Sequence, residues 1–296
     1  MLIRSILPRL PRRWLLLCLV LAGLPAGRAV AQPISIVAAE NFYGDVAGQL
    51  AGSNASVSSI LSKPDQDPHL FEASPSVARL IAGASIVVYN GADYDPWMTK
   101  LLSASRSPNR TVIVVADLVH RKPGDNPHLW YDPSTMPAYA KTLSATLTQR
   151  DPAHQADYNQ RLQAFLDTLQ PLQAKIAELR GRFSGIPVTA SEPVFGYMAN
   201  ALGFKMRNER FQLAVMNDTE PRASDVAAIE NDLRNRNVRV LFHNSQATDT
   251  AAERLVRIAR EANVPVVGVT ETEPSGTTYQ AWMMQQLDAI AQALGP

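Results

Sequence analysis

Four side chains in the sequence have the types and surroundings needed to bind a divalent transition-metal ion. They are the histidines of Asp67-Pro68-His69 and Asn126-Pro127-His128, together with Glu192 and Glu271. Two neutral imidazoles supply nitrogen, and two carboxylates supply oxygen and the negative charge that balances a divalent cation. The proline before each histidine restricts the backbone to extended geometry and stiffens the loop that presents the ring.

Each candidate ligand comes after the carboxyl end of a predicted strand. The preceding strands are predicted at residues 57–61, 111–116, 187–191 and 265–270. Ligands of open α/β sheets bind in the crevice outside these strand ends. Two halves that face each other would therefore bring all four loops to one point, with two ligands from each half.

Spacing alone leaves other interpretations open. Glu273 lies two residues from Glu271 in the same loop and could equally be the fourth ligand. A lone histidine in a loop is commonly a surface residue, and a lone glutamate after a strand is commonly a helix cap or a solvated charge. We assign no role to His120, His154 or His243, although His243 ends a predicted strand.

Short β-branched runs alternate with helical patterns, which predicts an α/β fold of two lobes, each a mostly parallel sheet with flanking helices. Further strands are predicted at residues 34–38, 86–90 and 238–243. Helices are predicted near residues 42–50, 77–82, 194–202, 224–236, 250–263 and 278–294, with Ser74 and Ser224 as caps.

A long helix is predicted between the two lobes. From residue 158 to 183 the apolar positions fall at steps of three and four, which indicates one amphipathic helix with Pro171 as a kink. Such a helix would span about 35–40 Å. The predicted organisation is an N-terminal metal-binding lobe at 32–150, a linker helix at 151–184 and a C-terminal metal-binding lobe at 185–296.

Residues 1–31 are typical of a cleaved signal peptide. They contain five arginines and no acid, then an apolar run at 14–23, and they end in Ala29-Val30-Ala31. The apolar run is shorter than the roughly 20 residues that span a bilayer. We therefore expect a periplasmic protein that begins at Gln32. The Arg12-Arg13 pair leaves twin-arginine export open beside the general secretory route.

Removal of this segment changes the thiol content and the charge. Cys18 is the only cysteine, and Leu17 precedes it where a lipoprotein site requires a small residue. The mature chain should therefore have no thiol, which excludes disulfides, thiolate ligands and a cysteine nucleophile. It keeps 23 basic and 27 acidic residues, a net charge of −4, which argues against a nucleic-acid partner.

Six stretches resemble the metal-binding solute-binding proteins of ATP-driven zinc and manganese importers, in the order found in that family. They are residues 38–44, 67–72, 90–95, 126–133, 191–197 and 279–284. The resemblance implies two α/β lobes joined by a long rigid backbone helix, with the metal between them. It places the ligands at His69, His128, Glu192 and Glu271, with Zn²⁺ or Mn²⁺ as cargo. The implied partner is the permease of an ABC importer, and a monomer is expected.

The sequence departs from the zinc-type members at three places. Glu192 stands where they usually have histidine, and Glu271 where aspartate is common. Residues 117–126 form a short segment with only His120, where zinc-type members often have a long loop rich in histidine and acid. These departures argue against zinc alone, and binding strength does not decide because affinities follow the Irving–Williams order whatever the biological cargo.

Two alternative functions fit some of the same residues. A zinc-dependent hydrolase would keep an open coordination position for water, commonly with three protein ligands. Four protein ligands leave no obvious opening, and the sequence has neither an H-E-x-x-H helix nor a G-x-S-x-G elbow. A metal-binding surface adhesin with the same fold is the other alternative.

Overall fold

Two parallel sheets with the same strand order organise the chain. The computed structural model describes residues 33–63, 71–217, 219–246 and 250–295, and within them eight strands form two four-stranded sheets. When the four strands of each sheet are numbered in chain order, both sheets have the strand order 2-1-3-4. All strand pairs are parallel, so all carboxyl ends of one sheet lie at one edge.

The strands of the first sheet are β1 (Ile34–Glu40), β2 (Ala55–Leu61), β3 (Ile86–Tyr89) and β4 (Thr111–Val114). Those of the second are β5 (Pro187–Ala190), β6 (Lys205–Met206), β7 (Leu241–Asn244) and β8 (Val266–Val269). Ile36, Val37 and Ala38 of β1 have no exposed surface, because a central parallel strand is covered on both faces. The edge strand β2 instead alternates in burial over its first residues.

Helices connect the parallel strands and cover both sheets. In the first half they are α1 (Asn41–Ala51), α2 (Pro75–Gly83), α3 (Pro96–Ala104), α4 (Val115–Leu118) and α5 (Thr135–Arg150). Next come α6 (Gln155–Thr168) and α7 (Gln170–Phe183). The second half contains α8 (Gly196–Ala201), α9 (Glu209–Met216), α10 (Ala223–Arg234), α11 (Thr250–Glu261) and α12 (Tyr279–Leu294). None of the described helices is long and apolar enough to cross a membrane.

One of the two predicted helix caps agrees with the structure and the other does not. The Ser74 hydroxyl accepts a hydrogen bond from the Val77 amide at 3.4 Å, and Thr278 caps α12 in the same way at 3.3 Å. The cap at Ser224 is wrong, because the helix begins at Ala223, two residues earlier than a cap at Ser224 would require. Arg222 is the N-cap residue, and its carbonyl accepts the Asp225 amide at 2.8 Å.

The predicted single helix is interrupted at Leu169, between α6 and α7. Pro171 has no amide hydrogen, so the helical bond back to the Asp167 carbonyl cannot form. Leu169 nevertheless keeps a right-handed helical backbone, and the Gln173 amide bonds its carbonyl at 3.0 Å. The predicted long helix is therefore present as two helices in direct succession, and the interruption lies two residues before the predicted kink at Pro171.

Each predicted strand differs from the observed one at one or both ends, and one difference matters for the site. The strand β7 begins at Leu241 and ends at Asn244, so the last strand residue is Asn244 rather than His243. The strand β4 ends at Val114, because the chain turns into α4, and β8 ends at Val269. The elements α3, α9 and the two-residue β6 have no counterpart in the predicted set.

One aromatic core runs through both halves. The Phe42 ring lies 4.6 Å from Trp130 and 6.0 Å from Trp282, and the Tyr131 ring lies 5.1 Å from Phe195. Phe42, Trp130 and Tyr131 come from the first half, whereas Phe195 and Trp282 come from the second. The chain from Pro33 onward accordingly forms one compact unit, in which the two sheets share apolar packing. The predicted signal peptide at 1–31 lies outside the described residues.

Candidate metal centre

His128 is a buried imidazole whose orientation is fixed by its own loop. The ring is fully buried, and its Nδ1 atom lies 2.7 Å from Asn126 Oδ1, which also accepts the His128 amide at 3.1 Å. Two donors converge on that amide oxygen, so the proton of the neutral ring belongs on Nδ1 and the lone pair on Nε2. Nε2 has no hydrogen-bond partner among the described residues.

Glu271 faces this lone pair from the other half of the chain. Its Oε2 atom lies 3.7 Å from His128 Nε2, and the side chain is almost completely buried. Tyr94 donates its hydroxyl to Oε2 at 3.2 Å, and Asn244 donates its amide to Oε1 at 2.7 Å. The backbone amide of Glu271 bonds Gln246 Oε1 at 2.6 Å. The carboxylate is therefore held in place beside an atom that also carries a lone pair.

Glu192 joins this group through Asn244. The side-chain amide of Asn244, which already donates to Glu271, lies 3.3 Å from Glu192 Oε2. Glu192 is half-buried and follows β5, whereas Asn244 is the last residue of β7. Asn244 directly follows the predicted strand 238–243, where the strand-end rule looks for ligands, but the sequence analysis considered only imidazoles and carboxylates as candidates. His243 instead lines a separate surface groove with Ser245, Arg260 and Gly268.

The remaining predicted ligand, His69, lies in residues 64–70, outside the described part of the chain. Within the described residues, no three or more His, Cys, Asp and Glu side chains form a group that could hold a metal ion. The structure brings His128 and Glu271 together directly, and it links Glu192 to them through Asn244. The complete four-ligand set stays a prediction.

The two glutamates of the last loop lie in different surroundings. The backbone amide and carbonyl of Glu273 pair with the Asn41 side chain at 3.1 and 2.7 Å, which directs this residue towards α1. Burial and the nearby Asp45 carboxylate raise the pKa of Glu273 to about 8. It is Glu271 that lies against His128, so the geometry favours Glu271 over Glu273 as a ligand.

The tight loop after β3 holds both Tyr94 and the His128 loop. Asp95 accepts the backbone amides of Asn90 and Gly91 at 2.6 and 2.9 Å, closing a turn in which Gly91, Ala92 and Asp93 have positive φ angles. The Asn90 amide donates to the Pro127 carbonyl at 2.8 Å. This turn thus positions the Tyr94 hydroxyl, which donates to Glu271, and also Pro127, which precedes His128.

Glu40, at the end of β1, faces Asp95 from beneath the same turn. Glu40 is fully buried, and neither of its carboxyl oxygens has a hydrogen-bond partner among the described residues. Burial and the Asp95 charge raise the pKa of Glu40 well above its ordinary value. Burial raises the pKa of Asp95 only to about 6, because the two backbone amides stabilise its charge. Of the two carboxyl groups, Glu40 is therefore the one that stays protonated to higher pH.

A comparison with known families identifies the chain. The model of the family described as zinc-uptake complex component A, periplasmic (ZnuA), matches residues 36–293. The chain belongs to this family.

Relatives of this ZnuA-family chain include several substrate-binding proteins of metal transporters. The metal ABC transporter substrate-binding lipoprotein SloC of Streptococcus mutans is 25% identical, covering 95% of this chain and 97% of its own. The manganese ABC transporter substrate-binding lipoprotein PsaA of Streptococcus mitis is 24% identical, covering 93% and 95%. The iron-binding protein YfeA of Yersinia pestis is 26% identical, covering 90% and 88%.

Solved structures share the fold. The periplasmic zinc-binding protein TroA of Treponema pallidum superposes with a TM-score of 0.75 at 21% identity, over 90% of this chain and 100% of that one. A manganese-bound periplasmic metal-binding protein of Candidatus Liberibacter asiaticus gives a TM-score of 0.71 at 20% identity, over 88% and 100%. The predicted two-lobed α/β fold is confirmed.

These comparisons also decide between the predicted functions. The expected solute-binding protein of a metal importer is confirmed, and the adhesin and hydrolase alternatives gain no support. The ZnuA family consists of transport components rather than enzymes. The relatives are periplasmic proteins or lipoproteins, which places this ZnuA-family chain outside the cytoplasmic membrane.

The protonated Glu40 predicts a pH-dependent stability that Glu40→Gln should remove. The pKa of Glu40 is raised in the folded protein, whereas an unfolded glutamate has a pKa of about 4.3. By linkage, its contribution is fully present below the unfolded pKa and is lost as the pH rises towards the folded pKa. Glutamine donates a hydrogen bond without ionising. The free energy of unfolding, measured in denaturant at pH 5 and pH 8, should therefore shift in favour of the variant at pH 8.

The matched control is Glu253→Gln, at an exposed glutamate in the first turn of α11. It should show no comparable shift between the two pH values. An identical stability difference for Glu40→Gln at pH 5 and pH 8 would show that Glu40 is ionised in the folded protein.

Proposed function

We propose that this protein captures Zn²⁺ or Mn²⁺ outside the cytoplasmic membrane and delivers the ion to the permease of an ABC importer. The proposed ligands are His69, His128, Glu192 and Glu271. The observation that supports this function best is the contact between His128 Nε2 and Glu271 Oε2. Both atoms are buried, both carry lone pairs, and they face each other at 3.7 Å.

The distance between these two atoms suits a shared metal ion. Bonds of about 2.1 Å that meet at about 110–125° would place two donor atoms about 3.4–3.7 Å apart. The observed 3.7 Å lies at the upper end of that range. His128 and Glu271 therefore need little movement to bind one ion, which is consistent with the bonds that already fix both side chains.

Glu192 is connected to these two residues through Asn244. The Asn244 side-chain amide donates to Glu192 at 3.3 Å and to Glu271 at 2.7 Å. Once bound, the charges of Glu192 and Glu271 balance the divalent cation, and the filled site is near neutral.

The presence of a carboxylate, Glu192, as the third proposed ligand affects which metal ion the site prefers. A carboxylate binds through one or two oxygens, so Glu192 and Glu271 allow five or six contacts to the ion. A site with five or six contacts suits manganese better than a strict tetrahedron does. The relatives include a manganese-transporter protein and an iron-binding protein beside the zinc-uptake family description, in keeping with a site that is not restricted to zinc.

Release to the permease should involve a modest movement. The aromatic core shared by the two halves resists wide separation, because opening it would expose Phe42, Trp130 and Trp282. We infer that docking displaces ligand loops or tilts one half slightly, and does not open the protein widely.

Metal binding should raise the melting temperature. A ligand that binds only the folded state stabilises it by about 4 kcal/mol at a thousandfold excess over Kd. Thermal denaturation of metal-free protein with added Zn²⁺ or Mn²⁺ should show a rise of several degrees, and Mg²⁺ should give none. Equal melting curves with and without these metals would refute the proposed function.

Variants of the glutamates test the ligand set. Glu192→Ala and Glu271→Ala should weaken both metals, by about a hundredfold or more for Glu271. Glu192→His should weaken Mn²⁺ much more than Zn²⁺, because an imidazole offers only one nitrogen. Glu273→Gln is the matched control and should leave both affinities nearly unchanged. Titration of both metals into each variant is the measurement.

Two results would contradict these assignments. Loss of metal by Glu273→Gln with retention by Glu271→Ala would show that the fourth ligand lies two residues later. Normal binding of both metals by Glu192→Ala would remove the third ligand and the argument for manganese that depends on it.

Export should leave a mature N-terminus at Gln32, after Ala29-Val30-Ala31. Intact-mass spectrometry of protein recovered from the periplasm should give the mass of residues 32–296. A mass that includes Cys18, or a lipid attached to it, would show that the protein remains anchored to the membrane.

A further inference from the structure

Asn126 bonds both halves of the chain at once. Its Oδ1 atom accepts the His128 amide and ring Nδ1, whereas its Nδ2 atom donates to the Pro193 carbonyl at 2.8 Å. Its own carbonyl accepts the Tyr197 hydroxyl at 2.7 Å. Pro193 directly follows Glu192, so one side chain connects the loops that present His128 and Glu192.

We propose that Asn126 is a positioning residue that sets the tautomer of His128 and ties the His128 loop to the Glu192 loop across the two halves. The inference rests on the proposed function in taking His128 and Glu192 as metal ligands. Its first role acts within the loop, through Oδ1. Its second role acts between the halves, through Nδ2, and governs how easily the two ligands separate.

Gly196 provides independent support for the second role. A Cβ atom added at Gly196 would lie 2.9 Å from Asn126 Nδ2, and no other heavy atom outside its own chain neighbours and helix backbone would lie within 4 Å. The backbone of Gly196 is helical, with φ −56° and ψ −45°, so alanine would be unstrained there and favoured by about 0.5–1 kcal/mol. A side chain at position 196 would therefore crowd the Asn126 side-chain amide, which needs this space.

Neighbouring contacts hold the same junction. The Arg121 guanidinium lies 4.7 Å above the ring of Tyr197 and pairs with Asp132 at 3.5 Å. Arg121 and Asp132 belong to the first half, whereas Tyr197 belongs to α8 in the second. The Tyr197 hydroxyl therefore reaches Asn126 from a ring that is itself fixed across the junction.

The two roles need different atoms, so different variants separate them. Asn126→Asp keeps an acceptor for His128 Nδ1 but replaces the donor to Pro193 with an oxygen that faces a carbonyl. Asn126→Ala removes both. Gly196→Ala leaves Asn126 in the sequence but crowds its Nδ2 atom. The control is Gly181→Ala, within α7, where an added Cβ meets no atom within 4 Å.

The first measurement uses metal-free protein. The ¹⁵N chemical shifts of the imidazole rings at pH 8, where a free imidazole is neutral, report the tautomer of His128. Wild type, Asn126→Asp, Gly196→Ala and Gly181→Ala should show Nδ1–H, whereas Asn126→Ala should show a mixture of tautomers. An unchanged tautomer in folded Asn126→Ala would overturn the first role.

The second measurement is the rate at which Zn²⁺ leaves the loaded protein into excess chelator. Release should be about tenfold to a hundredfold faster for Asn126→Asp and Asn126→Ala, and several-fold faster for Gly196→Ala. It should be unchanged for Gly181→Ala. Release at the wild-type rate from both Asn126→Asp and Gly196→Ala would overturn the second role.

Failure of this inference is distinguishable from failure of the proposed function. If wild-type protein binds neither Zn²⁺ nor Mn²⁺, the proposed function is wrong, and the tautomer of metal-free Asn126→Ala still decides the role of Asn126. Circular dichroism and melting curves confirm that each variant is folded, and Gly196→Ala tests the connection even if Asn126→Ala does not fold.

Discussion

The candidate metal site depends on a contact between His128 and Glu271 that is unfavourable unless a cation lies between the two side chains. His128 Nε2 and Glu271 Oε2 are both buried acceptors and lie 3.7 Å apart. Oε2 accepts the Tyr94 hydroxyl, whereas Nε2 has no hydrogen-bond partner among the described residues. Burial of polar atoms without a compensating bond is costly. Asn126, Tyr94 and Asn244 hold the two groups in place, so they cannot relax by turning away. A bound cation removes the conflict, and the protein thereby retains affinity that a relaxed site would lose.

Backbone architecture makes this arrangement possible. Two sheets with the same order of parallel strands each direct their carboxyl ends to one edge, from which polar loops extend. Side chains then cross between the halves. Tyr131 donates to the Thr270 carbonyl at 2.9 Å, and Tyr279 donates to the Trp130 carbonyl at 2.8 Å. With an aromatic core beneath them, these bonds fix the distance between ligand loops to within small displacements, which is what metal selectivity requires.

The alternation of β-branched runs and helical patterns was sufficient to predict every strand except the two-residue β6, because buried parallel strands leave a strong compositional signal. The polar residues that hold the candidate ligands, such as Asn244 and Asn126, leave no such signal, since a single short side chain makes no repeating pattern in the sequence. The strand was predicted to end at His243, one residue before its observed end, which drew attention to His243. The adjacent Asn244 is the residue that bonds the carboxylates of Glu192 and Glu271. The broken helix shows the same limit: periodicity continues through Leu169, whereas the missing hydrogen at Pro171 interrupts the bonding.

Glu271 and Glu273 show why spacing could not assign the last ligand. They share a loop, a chemical type and almost complete burial, yet one lies against His128 and the other towards Asp45. With a pKa of about 8, Glu273 is mostly protonated at neutral pH and brings no charge to balance a cation. Glu271 accepts bonds from Tyr94 and Asn244, as a carboxylate does. Of the two glutamates in this loop, Glu271 is therefore the one that can balance the charge of a divalent ion, together with Glu192 in the proposed ligand set.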